Sequence, residues 1–141
     1  MANDWWTAPA EGADGRLIIV SGRRDVERFR SNPRFNIRIE ISWTYSDADN
    51  AGMPDDRDAR LMEEATDALT AILDADPVAV LTVIYTGAGR RDWVFYTLST
   101  HIFQKKLNEA LAPLPVLPLH IEAYNDPGWE EYDEMRLTEI D

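Results

Sequence analysis

The sequence contains no cysteine, which excludes disulfide bonds, a thiol nucleophile and thiolate metal ligands. No apolar run approaches the roughly 20 residues of a membrane helix. The first residues lack both the basic and the apolar region of a signal peptide. These absences favour a cytoplasmic protein. The length of 141 residues suits a single domain over residues 1–141.

Positive charge is also scarce, because 14 Lys and Arg residues stand against 26 Asp and Glu residues, a net charge of −12. Nucleic acids and anionic membranes need clustered cations, so we expect neither as a partner. The basic residues concentrate between Arg23 and Arg38, whereas the segment 126–141 is acidic. Two interpretations of that segment stay open: a solvated surface that attracts the basic stretch weakly, or a face that docks on a basic protein partner.

Residues 79–96 form the centre of the predicted fold, because two runs rich in β-branched and aromatic residues flank a glycine-containing turn. Gly87 and Gly89 can take the positive φ that a hairpin loop needs. The loop looks longer than the two-residue ideal, so we expect a β-bulge there. Upstream, Phe35–Tyr45 alternates apolar and polar residues, which is typical of an antiparallel strand with one solvated face.

Helical spacing of apolar residues predicts two longer helices. Pro54 suits the first turn of one helix, and the acids that follow it favour a helix N-terminus. Thr100 is the predicted cap of the other helix. Further strands are expected at residues 17–21, beside Phe35–Tyr45 or at a sheet edge, and at residues 116–124. The polar stretch 23–33 is expected to be a loop, as is 46–52.

This order of elements predicts an α+β fold. We expect a four- to five-stranded antiparallel sheet with two helices on one face, in the ferredoxin-like split βαβ order, plus a short C-terminal helix. A different α+β sandwich is the alternative. Trp5 and Trp6 in the N-terminal arm 1–14 are expected to tuck against the domain, with a short strand as one option. In the C-terminal segment, Trp129 and Tyr132 should dock and the acids around them should face solvent, while residues 138–141 should fray.

No pattern indicates catalysis. His120 and Glu122 share one strand face and could act as an oriented acid–base pair, but a hydrogen-bonded surface histidine is the simpler interpretation. His101 has no evident partner. Asp55 and its acidic neighbours are better explained by the helix dipole than by a metal. We therefore expect no cofactor and no metal, and an enzymatic role is not favoured.

Aromatic and charged residues near the strand ends form a second constellation, and they are the candidates for binding a ligand or partner: Trp43, Tyr45, Arg91, Trp93, Tyr96, Asp126, Trp129 and Tyr132. Such a set could line a groove for a small molecule or a peptide. The alternative is that these residues are core and corner packing.

Four short motifs carry a resemblance: Trp43-Thr-Tyr45, Gly52-Met-Pro54, Gly89-x-Arg91-x-Trp93-x-Phe95-Tyr96 and Asp126-Pro-x-Trp129-x-x-Tyr132. Together they resemble a bacterial family of unknown function, the one numbered 695, over roughly residues 1–135. The resemblance implies an α+β fold and a cytoplasmic location. Some members are similar in arrangement to fusions with a domain like regulator of ribonuclease E activity B, an acidic protein inhibitor. The resemblance implies no catalytic residues.

The leading expectation is a non-enzymatic regulatory or protein-binding domain, because the chain is acidic and lacks a catalytic constellation. The alternative is a small-molecule-binding domain or enzyme that uses a groove lined by Arg91, Trp93, Tyr96 and Trp129. The sequence identifies neither the partner nor the oligomeric state.

Overall fold

The computed structural model describes residues 5–12, 15–46 and 52–138. These residues form six strands and four helices: β1 Trp5–Glu11, β2 Leu17–Arg23, α1 Glu27–Arg30, β3 Ile37–Thr44, α2 Asp56–Ala75, β4 Ala79–Gly87, β5 Arg90–Thr97, α3 Thr100–Leu111, β6 Leu119–Asn125 and α4 Glu130–Arg136. All the strand pairs are antiparallel, in the order β1-β2-β4-β5-β3-β6. The predicted α+β fold is confirmed. The predicted four to five strands are wrong, because the N-terminal arm contributes a whole strand.

The β4–β5 hairpin closes more tightly than the sequence suggested. Gly87 pairs with Arg90, so the loop has only two residues, Ala88 and Gly89, with φ of 53° and 81°. Positive φ at both central positions matches the twist of the flanking strands. The predicted longer loop with a bulge at the turn is therefore wrong. The irregularity lies instead between Leu81 and Val83, and it shifts which residues of β4 face each side of the sheet.

Strand β3 confirms the alternation seen in the sequence and lies between β5 and β6. Strand β2, in contrast, is neither beside β3 nor at an edge, as the sequence analysis had placed it. It pairs with β1 on one side and β4 on the other. The β1–β2 hairpin extends the sheet beyond β4, and β1 becomes the edge.

Both longer helices begin with a side-chain cap. The carboxylate of Asp55 accepts a hydrogen bond from the Asp58 backbone N–H at 2.8 Å, so Pro54 precedes the helix instead of lying in its first turn. For α3 the cap is Ser99, which accepts from the Ile102 N–H at 3.2 Å. The prediction of Thr100 as cap was one residue late.

The stretch predicted as a loop between Arg23 and Pro33 contains the short helix α1. It forms because Phe29 is buried there, edge-on to Phe35, with ring centroids 5.3 Å apart. One buried aromatic residue in a polar segment gives no helical period, so the sequence pattern did not reveal it.

The sheet has a hydrophobic core on each face. On the first face, which we call the α2–α3 face, residues of α2 and α3 pack on β3, β4 and β5. On the second, the α4 face, residues of α1 and α4 pack on β1, β2, β4 and β5. Six strands span roughly 25–30 Å, whereas two helices cover about 20 Å. Each face therefore keeps an uncovered strip, beside β1 and β2 on the α2–α3 face and across β3 and β6 on the α4 face.

Parts of three predictions lie outside the described residues. These are residues 1–4 and 13–14 of the N-terminal arm, 47–51 of the predicted loop, and 139–141 of the segment expected to fray. Among the helices that the structure describes, each is too short or too polar to cross a lipid bilayer.

Candidate functional site

The sheet divides the eight predicted site residues into two groups. Trp93 and Tyr96 lie three apart on one strand, so their side chains point to opposite faces. The α2–α3 face holds Trp43, Tyr45, Arg91 and Trp93, and the α4 face holds Tyr96, Asp126, Trp129 and Tyr132. The expected groove shared by Arg91, Trp93, Tyr96 and Trp129 therefore does not form.

Trp129 anchors α4 to the sheet. Its ring stacks on Tyr96 with centroids 4.0 Å apart, and its indole N–H donates to the Phe35 carbonyl at 2.7 Å. Tyr132 packs edge-on against Trp129 and donates its hydroxyl to the Arg23 carbonyl at 2.5 Å. Trp129 and Tyr132 are 1% and 2% exposed, so the predicted docking of this segment by two aromatics is confirmed.

Asp126 is the polar centre of the same face. One carboxylate oxygen accepts from the Tyr96 hydroxyl at 2.7 Å and from Arg38 at 2.9 Å, and the other accepts from the Glu130 backbone N–H at 2.9 Å. Burial alone would raise the pKa of Asp126, but the hydrogen bonds from Tyr96, Glu130 and Arg38 lower it. The ion pair with Arg38 also ties the basic stretch to the acidic segment, and Arg30 pairs with Asp133 in the same way.

Glu131 departs from the prediction that the acids of α4 face solvent. It is half-buried and accepts a hydrogen bond from the Tyr85 hydroxyl at 2.5 Å. Burial raises the pKa of Glu131, and burial together with the nearby carboxylate raises the pKa of Tyr85. Both line an open cavity of about 540 Å³ with Asp92. Within residues 5–12, 15–46 and 52–138, no group of three or more His, Asp or Glu residues could hold a metal ion.

The three aromatic candidates on the α2–α3 face are buried in its core. Trp93 donates its indole N–H to the Thr66 hydroxyl at 2.8 Å. Tyr45 donates its hydroxyl to the Gly52 carbonyl at 2.7 Å, next to the hairpin turn. These contacts fix α2 and the turn to the sheet, which is the packing role that the sequence analysis left open.

Arg91 differs from its neighbours because its charged group reaches a cavity. The side chain is half-buried, its Nε donates to the Thr86 hydroxyl at 2.9 Å, and its guanidinium lies 5.9 Å from the centroid of Trp93. No carboxylate among the described residues forms an ion pair with it. Burial lowers the pKa of the Arg91 guanidinium, and the nearby Tyr45 and Glu63 partly offset that lowering.

Two adjoining cavities form a groove beside Arg91, on the uncovered strip of the α2–α3 face. They have volumes of about 490 and 310 Å³ and share Ser21, Thr66 and Ile84. We call this feature the Arg91 groove. The end near Arg91 also has Glu63 and Asp67 from α2. The other end has the apolar residues Trp5, Leu73 and Leu81, the charged residues Arg23, Arg28 and Asp74, and Phe29, which packs on the α4 face.

The sequence analysis did not select Trp5, Ser21 or Glu63 as groove residues. Trp5 carried a usable signal, since adjacent residues of a strand face opposite sides. Trp6 is buried on the α4 face, so Trp5 must point to the α2–α3 face. Ser21 and Glu63 gave no sequence signal of a groove, because polar residues on a strand or helix usually mark a solvated position.

The edge strand β6 is the second candidate surface. Within the described residues it pairs only with β3. Ile121 is 43% exposed and Tyr124 is 37% exposed. Glu122 accepts from the Tyr124 hydroxyl at 2.8 Å and lies 3.2 Å from His120. The predicted His120–Glu122 pair exists, but both side chains are largely in solvent, 72% and 51% exposed.

The protein is an α+β domain. Most residues of the four sequence motifs hold α4, α2 and the hairpin turn to the sheet. The chain belongs to a family of unknown function, DUF695, whose profile matches residues 4–135. No curated protein and no solved structure matches the chain significantly.

Proposed function

We propose that this chain is a non-enzymatic protein-binding domain that accepts an extended, basic segment of a partner protein beside β6. The supporting observation is an edge strand whose two faces differ in chemistry. Strands at sheet edges present unpaired N–H and C=O groups, which an extended peptide can use as a template.

The two edges of the sheet are unequal in this respect. Strand β1 contains Pro9, and proline blunts an edge because it cannot donate a backbone hydrogen bond. Strand β6 contains neither proline nor lysine, and six of its seven residues are exposed. Of the two edges, β6 is therefore the one open to an added strand.

An apolar cavity lies beside β6 on the α2–α3 face. It has a volume of about 250 Å³. Its lining residues are mostly apolar, with two polar residues of α3 among them: Ile39, Thr100, Phe103, Gln104, Leu107, Ile121 and Ala123. Every second side chain of an added strand would point into it, because side chains alternate across a strand. This favours apolar residues at alternate positions of the partner segment.

The other face of β6 is acidic. Glu122 lies directly across from Glu40 of β3, and hydrogen bonds from Tyr124 and His120 lower the pKa of Glu122. The neighbouring cation, Arg38, is already paired with Glu40 and Asp126. With a net charge of −12 for the chain, basic residues are favoured at the other alternate positions of the partner segment.

Binding of two short synthetic peptides tests this proposal. One alternates valine with lysine and the other alternates valine with glutamate, and each is titrated by fluorescence anisotropy at low and high salt. The basic peptide should bind more tightly, with an affinity that falls as salt rises. Glu122→Lys should weaken its binding, and Ile121→Lys should weaken it further by placing a charge beside the apolar cavity.

Thr7→Lys is the matched control, because Thr7 is an exposed residue of the opposite edge strand. It should leave binding unchanged. Equal affinity for the two peptides, or full binding by both β6 variants, would overturn the proposal. Absence of binding by the basic peptide at low salt would also overturn it.

We also infer a ferredoxin-like core and a bacterial, cytoplasmic setting. The first inference is supported by the order β4-β5-β3-β6, in which β3 separates β5 from β6, with α2 and α3 on one face. The second is supported by the absence of cysteine and by the resemblance to a bacterial family.

A further inference from the structure

The terminal nitrogens of Arg91 have unused hydrogen-bonding capacity. A guanidinium has five N–H donors, and only the Nε–H of Arg91 has a hydrogen-bond acceptor among the described residues. The two terminal nitrogens carry the fork of donors that matches a carboxylate. Because the side chain is half-buried and lines the Arg91 groove, a ligand carboxylate could take up those donors.

The charges around Arg91 narrow the class of ligand. Glu63 and Asp67 line the same part of the groove. A ligand with several negative charges would meet these two carboxylates, which disfavours phosphates and dicarboxylates. A ligand that also carries an ammonium group would pair with them instead.

The end of the groove beside Trp5 narrows the class of ligand further. Moving from Thr86 to Ile84 along β4 covers about 7 Å, at roughly 3.4 Å per residue. From Ile84 the groove continues into the second cavity, which Trp5, Leu73 and Leu81 line together with the charged Arg23, Arg28 and Asp74. The Arg91 guanidinium and the apolar residues beside Trp5 are thus separated by the length of a small molecule, and the charged groups at the Trp5 end can stay at the rim of the cavity.

We propose that the Arg91 groove binds a free α-amino acid with a large apolar side chain. Arg91 receives the carboxylate, Glu63 and Asp67 face the ammonium group, and the side chain enters the cavity beside Trp5. This site lies on the opposite side of the sheet from the acidic face of β6, and it does not depend on the protein-binding function proposed above.

Isothermal titration calorimetry with three related compounds tests the assignment. L-Phenylalanine carries all three groups, 3-phenylpropionate lacks the ammonium group, and phenethylamine lacks the carboxylate. Phenylalanine should bind most tightly, and phenethylamine should bind at least about tenfold more weakly, since a charge-assisted hydrogen bond is lost. Phenylpropionate should lie between them.

Variants test which residue binds the carboxylate of phenylalanine and which binds its ammonium group. Arg91→Gln should weaken phenylalanine binding about tenfold or more, whereas Arg91→Lys should have a smaller effect because it keeps the charge. Arg90→Gln is the matched control, since Arg90 is the preceding residue of β5, points to the other face and pairs with Asp92. Glu63→Gln should weaken binding of phenylalanine but not of phenylpropionate.

The melting temperature of each variant without ligand checks that it remains folded. If Arg91→Gln fails to fold, the Glu63→Gln and Arg91→Lys variants still test the assignment. Equal binding of phenethylamine and phenylalanine would overturn it, as would unchanged affinity in both Arg91 variants. Absence of phenylalanine binding at its solubility limit would overturn it too.

Discussion

Substitution of Asp126 by asparagine should destabilise the fold by about 3–5 kcal/mol. Asp126 is only 4% exposed, and its two oxygens accept hydrogen bonds from Tyr96, Arg38 and the Glu130 backbone N–H. Asparagine has one acceptor oxygen, so its NH₂ group would oppose at least one of these donors in either orientation. An unsatisfied buried donor costs about 1–3 kcal/mol, and breaking a buried ion pair costs about 3–5 kcal/mol.

Urea unfolding followed by tryptophan fluorescence measures this change, because Trp129 reports on the docking of α4. For a domain of this size the loss corresponds to roughly 10–17 °C in melting temperature. Asp133→Asn is the control, because Asp133 lies on α4 and its side chain, which pairs with Arg30, is 54% exposed. It should cost less than about 1 kcal/mol. If Asp126→Asn unfolds at the same urea concentration as the control, the Asp126 network does not hold α4.

The same substitution has a pH signature. Because the folded-state pKa of Asp126 is lowered, its ionised form stabilises the fold above the unfolded-state pKa, about 3.9, and that stabilisation is lost as the pH falls through the folded-state pKa. The wild-type protein should therefore lose more stability than Asp126→Asn when the pH falls from 6 to 3. Equal losses in the two proteins would contradict this assignment.

Three further changes test the packing. Trp93→Ala should cost about 3–5 kcal/mol in urea unfolding, because it empties a core position and removes the partner of Thr66, and a near-native midpoint would remove Trp93 from the core. Gly22→Ala should cost about 1–3 kcal/mol, since the added Cβ would lie 2.5 Å from the Trp6 ring, and an unchanged melting temperature would show that Trp6 can move aside. Glu131→Gln should become more stable relative to wild type as the pH rises from 4 to 8, because a carboxylate with a raised pKa stabilises the fold only while it is protonated. A stability difference that does not vary with pH would contradict that account of Glu131.

Local periodicity was enough to predict the elements whose residues repeat regularly. Strand β3 alternates along its length, and α2 and α3 carry apolar residues at helical spacing, so all three were predicted, each with a start within two residues of the observed one. Helix α1 was missed because Phe29 is the one buried residue among its four, which is too few to show a helical period. The pairing of β2 was also missed, because the choice of neighbouring strand depends on the whole sheet and not on the strand itself.

The candidate site was predicted less well, because it depends on which face of the sheet each strand residue points to. The sequence analysis grouped Trp93 with Tyr96, although an odd separation on a strand sends two side chains to opposite faces. The sequence also did not show which residues of β4 face each side of the sheet. The irregularity between Leu81 and Val83 reverses the alternation there, and no glycine or proline marks it. The groove depends on which strip of the sheet the helices leave uncovered, and this is settled by packing across the whole domain.

The position of β3 has a consequence for how fast the chain can fold. Ile37 pairs with Thr97 on one side and with Asn125 on the other, so the centre of this half of the sheet assembles from distant parts of the chain. The β4–β5 hairpin needs only a two-residue turn and can form without β3. Domains that depend on such non-local pairing fold in about milliseconds to seconds. We expect substitutions in the hairpin to change mainly the folding rate and substitutions in β6 to change mainly the unfolding rate, which stopped-flow measurements across a urea series would separate.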